Sequence, residues 1–150
     1  MRNLKAVIID DEESARNVLV NLIKRNTTNI TIVGLASNVE EGAELIKKTN
    51  PDLVFLDVQM PNYNGYEITK FFDSMEFEII FVTAYDQYAI KAFELSAVDY
   101  LVKPVNRERL NNAIHKATDR VAAQDKLQEY QILADSFKER EHKKIIIPEL

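Results

Sequence analysis

The stretch Ala6-Val-Ile-Ile-Asp-Asp-Glu-Glu13 runs four apolar residues directly into four consecutive carboxylates. A buried strand tolerates charge only at its mouth, where water, a cation or a basic partner can meet it. Acids at a strand end also suit the start of a helix, through capping and the macrodipole, so this run alone does not separate a polar helix start from a metal site. Three more polar residues follow apolar runs in the same way: Asp57 after residues 53–56, Thr83 after 78–82 and Lys103 after 99–102. If Asp10, Asp11 and Asp57 converged, they would repel one another unless a cation lay between them, and an all-oxygen ligand set suits Mg2+. Lys103 would add a positive point charge, and Thr83 a neutral donor, for the oxygens of an incoming phosphoryl group. Asp57 is the candidate nucleophile, because an aspartyl carboxylate can accept a phosphoryl group covalently while metal and lysine offset the developing charge.

Such convergence requires a particular architecture. Short β-rich runs at 5–9, 30–35, 53–56, 78–82 and 99–102 alternate with amphipathic stretches, the pattern of a parallel sheet covered by helices on both faces. Five helices are expected. The first covers 13–25 with Ala15, Val18, Leu19, Leu22 and Ile23 on one stripe. The second is capped by Asn38 and broken at Asn50-Pro51, and the third starts after Asn64-Gly65. The fourth covers 87–95 with Ala89, Ile90 and Phe93 inward. Asn106 caps the fifth, which carries Leu110, Ile114, Ala117 and Val121. In open sheets of this kind the ligand crevice lies outside the carboxyl ends of the strands, where Asp10, Asp11, Asp57, Thr83 and Lys103 all fall.

The chain has 150 residues, enough for one domain and an extension. Its net charge of -5 and lack of a clustered basic patch argue against this segment binding nucleic acid or an anionic membrane itself. With no cysteine, a disulfide scaffold and a thiolate metal site are excluded, which fits a reducing cytoplasm. No signal-peptide core and no run of membrane-spanning length is visible, so a cytoplasmic location is expected.

Val7-Ile-Ile-Asp-Asp-Glu12, Asp57-Val-Gln-Met-Pro-Asn-Tyr-Asn-Gly65, Phe81-Val-Thr-Ala84 and Asp99-Tyr-Leu-Val-Lys-Pro104, in this order and on these elements, resemble the receiver domain of two-component response regulators over roughly residues 4 to 120. The resemblance implies an α/β, flavodoxin-like, doubly wound five-stranded parallel sheet of order 2-1-3-4-5, with Asp57 as phosphoacceptor. It further implies Asp11 as a direct Mg2+ ligand, Asp10 as a ligand through water, the main-chain carbonyl of Gln59 as another, and Thr83 and Lys103 as phosphoryl binders. Tyr100 matches the family's switch aromatic, which turns inward when Thr83 moves; from its position alone it is equally an ordinary strand tyrosine. Pro104 matches the position of the family's cis-proline, so the resemblance makes it the cis-proline candidate. A sensor histidine kinase would be the phosphoryl donor, and homodimerisation the response. The family reads its switch on the face of the fourth helix, fifth strand and fifth helix, here carrying Tyr88, Lys91, Glu94, Asp99, Arg107 and Asn111.

Residues 83–94, Thr-Ala-Tyr-Asp-Gln-Tyr-Ala-Ile-Lys-Ala-Phe-Glu, are similar to the receivers of LytTR-type (LytR/AlgR-like) transcription regulators, whose DNA contact belongs to a separate domain. On this reading residues 1–121 are the receiver, 122–142 a helical linker, and 143–150 the strand-like start of a truncated second domain. Within the linker Leu127, Tyr130, Ala134 and Phe137 recur at 3, 4, 3 spacing, consistent with packing on a partner copy or with a solvated linker. Two rivals remain from other classes. A Mg2+-dependent phosphohydrolase with an aspartyl-phosphate would need a second acid two residues after Asp57, where Gln59 stands. A degenerate receiver serving only as a binding module would not need all five chemical positions.

Overall fold

The computed structural model describes residues 2–146. Five strands, β1 (Leu4–Ile9), β2 (Ile30–Ala36), β3 (Leu53–Leu56), β4 (Glu78–Thr83) and β5 (Asp99–Val102), form one parallel sheet of order β2-β1-β3-β4-β5. Four α-helices, α1 (Glu13–Asn26), α2 (Val39–Thr49), α3 (Ala89–Glu94) and α4 (Arg107–Ile146), and a 3-10 helix (Gly65–Phe71) complete it. The flavodoxin-like order that the resemblance implies is the order observed.

Side-chain alternation along the strands builds two cores. Ala6, Ile8, Leu53, Phe55, Ile80, Val82 and Leu101 pack on one face with Leu19 and Ile23 of α1 and Leu110, Ala113, Ile114, Ala117 and Val121 of α4. Val7, Ile9, Val54, Leu56, Ile79 and Phe81 point to the other, against Val39, Ala43 and Ile46 of α2, Ile68 of the 3-10 helix and Ala92 of α3. Because both faces are covered, these strands are apolar at nearly every position. The helix boundaries follow local chemistry. Asn38 Oδ1 accepts from the Glu41 N–H at 2.8 Å and Asn106 Oδ1 from the Arg109 N–H at 2.7 Å, capping α2 and α4. Asn50 ends α2 in a left-handed conformation, φ 48°, just before Pro51.

Three expectations need correction. Ile90 and Phe93 point outward, 74% and 80% exposed, and only Ala92 of α3 is buried. The helix is six residues long, and Tyr88 and Leu95 at its two ends take the inward positions, which rotates its apolar contact away from Ile90 and Phe93. Val18 likewise lies outside the α1 contact and is 66% exposed. The third helix is a seven-residue 3-10 helix. Its aromatic and β-branched residues, Tyr66, Ile68, Thr69 and Phe71, are poor helix formers, and the segment is held at its start by the Glu67 carboxylate accepting from the Asn64 N–H at 2.9 Å.

The linker question resolves as one helix: α4 continues without a break for 40 residues, about 60 Å. It extends into the Lys143-Lys-Ile-Ile run read as strand-like. A strand there would need a ladder partner, whereas a helix satisfies its own backbone. The remainder of the expected second-domain start, 147–150, lies outside the described residues.

Gly65 shows how tightly the site end is packed. Its N–H donates to the Val58 carbonyl at 2.6 Å, and a Cβ at this position would lie 2.0 Å from the Asp57 carbonyl oxygen. Gly65→Ala should therefore displace the turn after Asp57 and destabilise the fold by about 1–3 kcal/mol, as overpacking does. A urea midpoint lowered accordingly, with an unchanged slope, is the expected reading.

Candidate functional site

The carboxyl ends of β1, β3, β4 and β5 bring Asp10, Asp57, Thr83 and Lys103 to one edge of the sheet. Asp10 and Asp57 are buried, at 5% and 8% exposure, and Thr83 is wholly enclosed, while Asp11 is exposed. One carboxylate oxygen from each of Asp10, Asp11 and Asp57 lies within 4.8 Å of the others. The Lys103 ammonium donates to Asp10 Oδ2 at 2.7 Å and to Asp57 Oδ2 at 3.3 Å. The Lys103-Pro104 bond is cis.

Asp10 is fixed from two sides: its Oδ1 accepts from the Glu12 N–H at 3.0 Å, and its carbonyl from the Arg16 guanidinium at 2.7 Å. Burial pushes the Asp57 carboxyl above its ordinary range. The Thr83 hydroxyl and the Lys103 ammonium oppose that rise, and the negative charge of Asp10 adds to it. For Lys103 burial acts downward, but the hydrogen bond to Asp10 and the charges of Asp57 and Asp10 outweigh it, holding the ammonium above its usual value. The lysine thus stays cationic between two acids.

The chemistry of this donor set fits Mg2+. The ligands are oxygens only, one of the three carboxylates faces solvent, and Asp57 Oδ1 is buried without a hydrogen-bond partner, the condition of an atom that a cation or a transferred group would satisfy. Gln59 is exposed beside this edge, and its side-chain amide donates to the Tyr88 hydroxyl at 3.1 Å.

The two expected switch residues meet at one stretch of main chain. The Tyr85 N–H donates to Thr83 Oγ1 at 3.4 Å, and the Tyr85 carbonyl accepts from the Tyr100 hydroxyl. The Tyr100 ring lies half-buried with its centroid 6.1 Å from that of Phe81. Of the residues assigned to the output face, Tyr88, Asp99 and Asn111 are half-buried, while Lys91, Glu94 and Arg107 are exposed. Asp99 is committed within the chain, 3.5 Å from Arg109 and 3.2 Å from Lys116. Those two cations, with Arg16, Ile90 and Phe93, were not assigned site or surface roles from sequence. Arg109 and Lys116 are one and three helical turns into the fifth helix, a spacing that could have flagged a shared partner.

A model of the response regulator receiver domain matches residues 6–115, and the chain belongs to this family. It is 46% identical over 114 residues to an uncharacterized response regulatory protein of Vibrio cholerae, covering 75% of this chain and 48% of the relative. It is also 44% identical over 115 residues to the sensory transduction protein LytT of Bacillus anthracis, covering 75% and 46%. The transcriptional regulatory protein BtsR of Salmonella typhi matches at 41% over 123 residues, covering 81% and 51%. The chain thus spans about half the length of these relatives. Among solved structures it resembles the REC domain of AraT, a response regulator from Geobacillus stearothermophilus, with a TM-score of 0.73 at 30% identity, covering 81% of this chain and 98% of that one. The response regulatory domain of mrkE from Klebsiella pneumoniae gives 0.71 at 29%, covering 79% and 98%. It is a signalling domain of a two-component response regulator. Among the described residues, no helix is long and apolar enough to cross a membrane.

Asp11, the exposed member of the acidic triad, tests the metal reading with least risk to the fold. Asp11→Ala should weaken Mg2+ binding roughly tenfold or more, since a lost carboxylate leaves the cation under-ligated. Titration calorimetry on the unphosphorylated chain checks this; equal affinity in both proteins would remove Asp11 from the ligand set.

Proposed function

We propose that this chain is a phosphorylation-controlled switch in which Asp57 accepts a phosphoryl group with Mg2+ as cofactor. The single observation that supports it best is the Asp57 carboxylate itself: buried at a strand end, with one oxygen 3.3 Å from a lysine ammonium and the other without a partner. Asp57 would form a P–O bond as the P–N bond of a kinase phosphohistidine breaks, or as the P–O bond of a small acyl phosphate breaks, and the leaving group departs with the electron pair. Attack by water on phosphorus later breaks the aspartyl P–O bond, releasing inorganic phosphate and restoring the carboxylate.

Asp10, Asp11, Asp57 and the Gln59 main-chain carbonyl would hold the metal, which when bound supplies positive charge to the transferring oxygens. Lys103 contributes the second positive charge, oriented by Asp10. Thr83 reports the phosphoryl group by moving toward it, and the Tyr85 main chain gives that movement a route to Tyr100. The readout is the α3–β5–α4 face. Its charges and the exposed Ile90 and Phe93 suit pairing with a second copy. A kinase partner, a cytoplasmic setting and control of transcription through the relatives' additional length complete the reading, and DNA contact belongs to that additional part.

Incubation with acetyl phosphate and Mg2+ should add one phosphoryl group by intact mass, and neither Mg2+-free protein nor Asp57→Asn should reach that yield. A full-yield adduct on the Asn variant would place the acceptor elsewhere. In a separate measurement, beryllofluoride should tighten self-association by roughly 5- to 150-fold, the usual size of a coupling free energy. Thr83→Ala should still accept phosphoryl yet lose most of this shift in sedimentation. A normal shift in that variant would break the proposed link from Thr83 to Tyr100.

A further inference from the structure

Beyond the switch, α4 raises a question the receiver fold does not answer. Where it leaves the sheet it carries the buried Val121 and, at Asp125, an ion pair with Arg2 at 2.9 Å. From Lys126 to Ile146 the helix runs about 30 Å further. Along it Leu127, Tyr130 and Phe137 are 60%, 68% and 60% exposed. A lone helical extension of this length is marginal in water, and Leu127, Tyr130, Ala134 and Phe137 at 3, 4, 3 spacing on it form the pattern of a coiled-coil seam, with the exposed Leu133 at its flank and Ile132 outside it.

We propose that residues 123–141 of α4 form a parallel, in-register two-stranded coiled coil with a second copy of this chain, without need of phosphorylation. Two observations favour this occupant. At about 100° per residue, the seam lies more than a third of a turn round the helix from Leu110, Ala113, Ile114, Ala117 and Val121, which pack on the sheet. A helix docked on the seam therefore meets no core-facing side. The seam also continues the side from which Arg109 and Lys116 reach Asp99, so it is continuous with the α3–β5–α4 face.

The flanking charges choose the direction. With Leu127 and Ala134 at a, and Ala123, Tyr130 and Phe137 at d, an antiparallel pair that layers Leu127 on Phe137 sets Lys126 beside Arg140 twice along one edge, a repulsion. The parallel pair sets Lys126 beside Gln131 and Leu133 beside Lys138, with no like charges facing. It also places the small Ala134 between the Tyr130 and Phe137 layers, giving both rings room. A parallel coil holds the two receiver faces on the same side at high local concentration, so phosphorylation would act within an association that already exists.

The chain's lack of cysteine makes the test direct. Leu127→Cys and, on the far side of the helix, Gln128→Cys are oxidised gently in the full chain without phosphoryl donor, and sedimentation is compared with Tyr130→Glu/Phe137→Glu. Expected are a disulfide-linked dimer for Leu127→Cys, little for Gln128→Cys, and a dimer constant weakened at least about 100-fold in the double variant, where four carboxylates would meet in the seam. Equal cross-linking at the two positions, an association untouched by the double variant, or a dimer that Leu127→Cys does not link would overturn the proposal. Neither readout depends on Asp57, so failure here is distinct from failure of the switch itself.

Discussion

Confinement of like charge is the constraint around which this molecule is arranged. Three carboxylates lie within 4.8 Å at the end of an apolar sheet, two of them buried, and their mutual repulsion grows as water is excluded. Within the chain the compensation comes from Lys103, whose ammonium bridges Asp10 and Asp57. That compensation is incomplete: among the described residues Lys103 is the one cation paired with these carboxylates, Arg16 reaching the Asp10 main-chain carbonyl instead, and Asp57 Oδ1 keeps no partner. A site left short of positive charge is prepared for a cation and for the chemistry a cation assists, which is the physical basis for proposing Asp57 as the acceptor.

The scaffold keeps this unfavourable cluster in place. Parallel pairing of β1, β3, β4 and β5 puts the ends of four strands side by side, so the register of the sheet alone sets which side chains converge. Two cores clamp the strands from both faces, and Gly65 lets the 3-10 helix close on the Asp57 carbonyl. By contrast, the segment from Thr83 to α3 is lightly held. Its residues 84–87 are exposed, and its main chain is tied to Thr83 on one side and Tyr100 on the other. A rigid charge cluster beside a lightly packed strip is a suitable arrangement for converting a change of charge into a change of surface.

The strands and the site positions were legible because their signals are local and strong: continuous apolar runs for a doubly covered sheet, each closed by a polar residue. The caps at Asn38 and Asn106 and the break at Asn50-Pro51 were legible for the same reason, since each is specified by one or two side chains. The phase of α3 was not. Over six residues an apolar stripe is too short to set a rotation, and the packing of Tyr88 and Leu95 decided it, leaving Ile90 and Phe93 outside. The 3-10 helix was hidden by an α-helical start signal at Asn64-Gly65 followed by residues of low helical preference. Partners such as Arg16 with the Asp10 carbonyl and Gln59 with Tyr88 depend on tertiary placement that no periodicity carries.

The central claim is that the phosphoryl group resides on one particular carboxylate. Borohydride reduces an aspartyl phosphate to homoserine while leaving free carboxylates intact, so it marks the acceptor permanently. After treatment with acetyl phosphate and Mg2+, reduction and peptide mapping, the account predicts homoserine at position 57 and aspartate unchanged at positions 10 and 11. Homoserine at Asp10 or Asp11, or phosphoryl incorporation with no homoserine at any position, would contradict it.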